Sequence, residues 1–240
     1  MVSTTLGQAQ RMNAPRAIAL CQCFNGALEF QAGHWKEAEA ALLESIELYR
    51  ELGAASGEAL AWQRLGVLQT AQGQLDPAMN SFEEGMAVAE RATMRAHCLA
   101  RLYAAMTRNR LQAGDVDAAS SYLALGLAMG QRHGNCATCD ALLLPAAVSV
   151  YIAQGNCAMA EDFCTQLAQA AAKYSSRTWI AMARQAAGEL AAAQGRLDEA
   201  LRFYEEARAA FTAAGNEYDA TRCRAALATL QTAAGTTTHE

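Results

Sequence analysis

The stretch GNCATCD, residues 134–140, sets Cys136 and Cys139 three residues apart, with His133 just before them and Asp140 just after. Thiolates and an imidazole at close range hold zinc or a softer metal. A thiol at a helix N-terminus is also made more acidic and more reactive. A single C-x2-C is a weak zinc signature by itself, because strong ones carry a second pair or spaced histidines. The remaining cysteines are Cys21, Cys23, Cys98, Cys157, Cys164 and Cys223. Which of them approach the pair depends on the elements that carry them.

Those elements repeat. AGHWKEAEAAL (32–42), QGQLDPAMNSF (72–82), AGDVDAASSYL (113–123), QGNCAMAEDFC (154–164) and QGRLDEALRFY (194–204) share one pattern. Their glycines, Gly33, Gly73, Gly114, Gly155 and Gly195, are spaced 40, 41, 41 and 40 apart. A period this regular means stacked copies of one supersecondary unit. Apolar residues recur at helical spacing before each glycine, and the glycine accepts the left-handed conformation that ends a helix. A second helix starts two or three residues later. A small residue five positions on (Ala38, Ala78, Ala119, Ala160, Ala200) permits close approach, and Leu42, Phe82, Leu123, Cys164 and Tyr204 follow at nine. Each copy is an αα-hairpin that buries its open face on the next. The spacing predicts lead helices near 14–31, 56–72, 95–113, 137–154 and 176–194. Return helices fall near 35–52, 75–92, 116–132, 157–173 and 197–214, with a capping helix near 217–233. Few β-branched runs and abundant Ala, Leu, Glu, Gln and Arg agree with an all-α chain.

These residues resemble the tetratricopeptide repeat. In the second copy Trp62, Leu65 and Gly66 precede Gly73, and Ala78, Phe82 and Gly85 follow it at that family's spacing. The fifth copy keeps Gly188, Gly195, Ala200, Tyr204 and Ala207, whereas the third and fourth replace the early glycine by Thr107 and Val148. The resemblance covers residues 19–234 and implies a right-handed αα-hairpin solenoid of about five repeats plus a C-terminal capping helix. The period exceeds the roughly 34 residues of the basic motif. It is similar to the long repeats in C-terminal arrays of large ATP-dependent bacterial transcription activators and in kinesin light chains. The expected organisation is a single domain over 14–234 between a flexible N-terminus, 1–13, and a flexible tail, 235–240. The chain begins almost inside a repeat, so it reads as part of a longer protein, or its first hairpin packs on a partner.

The resemblance implies that lead helices line a concave face where ligands lie. Carried over from the glycine offsets, the lining is Gln63 and Val67, then Arg101, Ala104 and Arg108, then Leu142 and Ser149, and finally Gln185 and Glu189. Arg101 and Arg108 are seven apart and share a helix face. Two guanidinium groups there clamp a carboxylate or phosphate, or else are ordinary solvated arginines.

On the same map Cys139 lies 16 residues before Gly155 and Cys98 lies 16 before Gly114. They hold equivalent places on adjacent lead helices. A metal site from Cys98, Cys136 and Cys139 with one histidine, His133 or His97, is one reading; packing thiols is the other, since cysteine is a common small core residue. Cys157 and Cys164 fall at core offsets. Pro145 lies inside the fourth lead helix, where it kinks or restarts that helix, or else marks a late start near 143–145.

The 240 residues carry a net charge of −5 and no long basic run, which argues against nucleic-acid binding. No apolar run approaches a membrane span of about 20 residues, and the N-terminus lacks a secretory core. The expected compartment is the cytoplasm, with reduced thiols. Phosphate-binding, dinucleotide, H-E-x-x-H and G-x-S-x-G motifs are missing, so no enzyme is expected. The expected function is a binding module for a peptide, a protein segment or a small inducer. Its expected setting is the sensor or interaction part of a bacterial transcription regulator or signalling protein. No cofactor is expected beyond zinc or another soft metal at the cysteines. A metal- or thiol-responsive sensor and a structural scaffold are the alternatives, with homo-oligomer formation through an array end.

Overall fold

A computed structural model describes residues 2–134 and 136–237. It contains twelve helices among these residues: α1 (Val2–Arg11), α2 (Pro15–Ala32), α3 (Trp35–Glu51), α4 (Ala55–Ala71), α5 (Leu75–Ala89), α6 (Arg95–Gln112), α7 (Val116–His133), α8 (Ala137–Ala153), α9 (Cys157–Tyr174), α10 (Arg177–Ala193), α11 (Leu197–Ala213) and α12 (Glu217–Thr237). Even-numbered helices from α2 to α10 are the lead helices, and their successors return. The chain is all-α and built of αα-hairpins, as the repeat predicts.

The turn glycine sets each hairpin. Gly33 has φ +88°, and its N–H donates to the Phe30 carbonyl at 3.1 Å while the His34 N–H reaches back to Glu29 at 2.8 Å. That pair of bonds satisfies the last carbonyls of α2, and only glycine adopts the conformation without strain. Gly73, Gly114, Gly155 and Gly195 repeat it with φ between +72° and +79°. The alanines five residues on are all fully buried.

Close approach inside a hairpin trades volume between two positions. A Cβ on Gly26 would meet Leu42, one on Gly66 would meet Phe82, and one on Gly188 would meet Tyr204. Where the early glycine is replaced, the residue at the second position is not aromatic: Thr107 goes with Leu123 and Val148 with Cys164. The aromatic residues at the second position, Phe82 and Tyr204, both stand opposite a glycine, as dense interior packing favours.

The chain divides into two compact units, one through Cys139 and one from Asp140. In the first, Leu42, Ile46, Tyr49, Leu65 and Leu68 form a core between α2, α3 and α4. Phe82, Val88, Leu99, Leu102 and Met106 form the next. In the second, Ala181, Tyr204, Phe211, Ala220 and Cys223 are buried together, and Tyr151 of α8 stacks on Phe163 of α9 at 5.4 Å.

Within the expected flexible N-terminus, 1–13, α1 packs on α2 and buries Ala9. Within the expected tail, 235–240, α12 continues to Thr237, and 238–240 lie outside the described residues. Pro145 neither restarts α8 nor delays it, since the helix begins at Ala137 and runs through to Ala153. No described helix is long and apolar enough to cross a membrane.

Burial pushes the Tyr49 hydroxyl up to about 12 and the Cys223 thiol up to about 11. It pushes the Cys164 thiol up to about 12, with Glu189 and Glu161 adding to the effect. Each group keeps its proton longer in the fold than in the open chain. Their stabilisation is therefore full below the unfolded values, about 8.5 for Cys and 10 for Tyr, and is lost as pH rises through the folded ones. Urea midpoints followed by circular dichroism should be level near neutrality and fall from about pH 9 upward. Cys223→Ala should make that fall shallower. A midpoint unchanged up to about pH 11 would contradict the assignment.

Candidate functional site

The first turns of α6 and α8 bring the chemistry together. His97 Nδ1 lies 3.2 Å from Cys136 Sγ and 3.3 Å from Cys139 Sγ. The three donor atoms all lie within 4.8 Å of one another. Cys136 sits just before α8, and its carbonyl accepts the Cys139 N–H at 2.8 Å, which closes the first turn and draws both thiols to one side. The Cys139 side chain is buried, while His97 and Cys136 are half-buried.

The electrostatics follow from this packing. Burial holds His97 below the usual imidazole range, and the Arg101 guanidinium adds to that. For Cys136 burial acts upward, but hydrogen bonds from the side chains and backbone of Cys139 and Thr138 outweigh it, so its thiol is more acidic than usual. Arg101 Nη1 donates to the Thr138 carbonyl at 3.1 Å and ties the segment between the two cysteines to α6. Its Nε is buried without a partner among the described residues.

Of the residues predicted to bind metal, the structure brings Cys136 and Cys139 together but not Cys98 or His133. Cys98 points the other way, its thiol 3.7 Å from the Ser56 carbonyl, and burial pushes it up to about 11. His133 is exposed at the end of α7. The histidine beside the pair is His97.

The lead-helix residues separate similarly. Gln63 and Ala104 are buried, and Val67 packs against the α4–α6 core. Arg101 turns to Thr138 rather than along α6 to Arg108, which is half-buried two turns on. The cation acting on Arg101 from the next lead helix is Arg64 of α4. Arg64 Nη1 donates to the Cys23 carbonyl and contacts its sulfur, both at 2.8 Å, and the guanidinium lies 4.7 Å from the Phe24 ring centre. In the second unit Ser149 donates to Glu189 at 3.0 Å, so these two predicted residues do meet. Leu142 and Gln185 are half-buried there.

Sequence reasoning missed one surface feature. Leu20, Phe24 and Leu28 of α2 are 49%, 47% and 50% exposed, although all three are large and apolar. Their four-residue spacing places them on one helix face. That spacing was visible in the sequence, but an apolar stripe at helical period ordinarily reads as core.

Residues 16–91 match the family model of the tetratricopeptide repeat. Among solved structures, the crystal structure of BtubC (BKLC) from P. vanneervenii is similar, with a TM-score of 0.56 and 16% sequence identity. The match covers 87% of this chain and 92% of that one. At that identity the likeness is one of fold. No curated protein matches the chain.

Proposed function

We propose, taking the chain as a tetratricopeptide-repeat protein, that it is a non-catalytic interaction module which binds a peptide or protein segment on the lead helices of its first unit. The observation that carries this reading is the exposed strip of Leu20, Phe24 and Leu28 with Arg64 seated on Phe24. Apolar side chains at i, i+4 and i+8 exposed together are unfavourable in water unless covered. A guanidinium at their edge fits a partner that offers apolar anchors and a carboxylate. A small inducer has no comparable observation in its favour. The finer setting, as sensor or interaction part of a bacterial regulator, rests on the length of the repeat.

The test is a peptide-display selection on the purified chain, with affinities of the selected peptides then measured by calorimetry. Peptides rich in apolar and acidic residues are expected. Phe24→Ser should weaken them at least about tenfold, the loss of one well-seated aromatic contact. Circular dichroism should show an unchanged fold, since the ring is half-exposed. Selected peptides that bind the variant as well as the parent would refute the assignment of this face.

A further inference from the structure

We propose that His97, Cys136 and Cys139 form a three-donor site for a thiophilic closed-shell cation, Zn2+ or Cu+, with one coordination position left open. These three residues are separate from Leu20, Phe24, Leu28 and Arg64 of the interaction face. Metal–sulfur and metal–nitrogen bonds of about 2.3 and 2.0 Å in a tetrahedral set hold neighbouring donors about 3.5–3.8 Å apart. The two nitrogen–sulfur separations here, 3.2 and 3.3 Å, are already near that edge length, and no pair in the set exceeds 4.8 Å. A cation placed between them needs only small side-chain rotations.

The surroundings suit a cation held by thiolates. Cys136 precedes the first residue of α8 and Cys139 is the third, so the positive end of that helix favours both as anions. The two-residue spacer matches the C-x2-C of compact zinc sites. Arg101 holds the carbonyl between them, which fixes the path of the spacer from outside the donor set. Imidazole with two sulfurs selects soft or borderline closed-shell ions over Mg2+ and Ca2+, which require oxygen donors. His97, Cys136 and Cys139 all belong to the compact unit that ends at Cys139.

The repeat itself shows that this placement is a modification of an ordinary packing contact. Cys98 touches Ser56, 42 residues earlier, and Cys139 touches His97, also 42 earlier. Measured from the turn glycines these are the same two positions, one repeat apart. The earlier copy has a thiol against a backbone carbonyl. The later copy has imidazole in place of serine and a second thiol at Cys136, which turns a packing contact into three convergent donors.

The experiment uses the full chain, kept reduced and freed of metal, titrated with Zn2+ and separately with Cu+ against chromophoric chelators. Co2+ serves as a spectroscopic probe, since its charge-transfer and d–d bands report thiolate ligation and tetrahedral geometry. One equivalent of Zn2+ or Cu+, with Co2+ bands from two thiolates, is expected. His97→Ala, Cys136→Ser and Cys139→Ser should each weaken binding at least about a hundredfold, whereas Cys98→Ser and His133→Ala should leave it within about twofold. Cys136 and His97 are only half-buried, so their variants should keep the parent's helical signal and supply the test if Cys139→Ser does not fold. Uptake of neither cation would overturn the proposal. So would uptake that survives His97→Ala, or a Cys136–Cys139 disulfide as the only chemistry of the pair.

Discussion

Phe82→Ala is expected to lower the free energy of unfolding by about 3–5 kcal/mol. The Phe82 side chain is fully buried at the centre of the α4–α6 core, among Leu99, Leu102 and Met106. Removing it forfeits the transfer energy of the ring and leaves a cavity whose walls, being helices, relax only in part. The neighbouring position reports the opposite stress. A Cβ on Gly66 would stand 2.3 Å from the ring, and the ring cannot bend away as a flexible chain end does. Gly66→Ala should therefore destabilise by about 1–3 kcal/mol, despite a helix-propensity gain of about 1 kcal/mol. Combined with Phe82→Leu, much of that loss should return, because the leucine vacates the space the methyl needs. Urea unfolding of the parent, Phe82→Ala, Gly66→Ala, Phe82→Leu and the Gly66→Ala/Phe82→Leu pair measures this. Additive effects of the two substitutions would contradict the packing described.

Asn109→Ala is expected to cost about 2 kcal/mol through lost hydrogen bonds. Asn109 is fully buried on α6. Its amide donates to Thr70 Oγ1 at 3.1 Å and to the Leu75 carbonyl at 3.0 Å, while its Oδ1 accepts from Arg110 at 2.7 and 3.0 Å. It thus clamps the turn between α4 and α5 to the next lead helix. Asn109→Asp should do no better, since an ionised carboxylate repels the two acceptors that the amide satisfied. Amide exchange over residues 70–75 should accelerate more than in the rest of the unit. A change in stability under about 0.5 kcal/mol would show that water replaces the side chain at little cost.

The hairpins were legible because a positive-φ turn admits essentially one residue type, so five glycines at 40–41 residue spacing mark five turns. Helix limits follow within one or two residues, except the end of α5, which stops three residues early at Ala89, and α1 and the end of α12, where no turn glycine and little periodicity mark the chain. The cluster of His97, Cys136 and Cys139 was half legible. Equal offsets from Gly114 and Gly155 place Cys98 and Cys139 correctly, but equivalent positions on successive repeats point in the same direction and so cannot face each other. The partner of Cys139 had to be the residue equivalent to Ser56, which is His97. Arg64 was passed over for a related reason. Offsets assign positions to a face, but which neighbour a long guanidinium reaches depends on the helix beside it, here α2 with Cys23 and Phe24. The exposure of Leu20, Phe24 and Leu28 is a property of what does not cover α2, and no local pattern encodes that.

Hydrogen–deuterium exchange of the chain, alone and saturated with a peptide selected by display, tests the interaction reading most directly. Protection is predicted along α2 over residues 20–28 and in the α4 turns that carry Arg64, with the return helices α3 and α5 unchanged. Protection confined to the return helices, or to the unit that starts at Asp140, would contradict it.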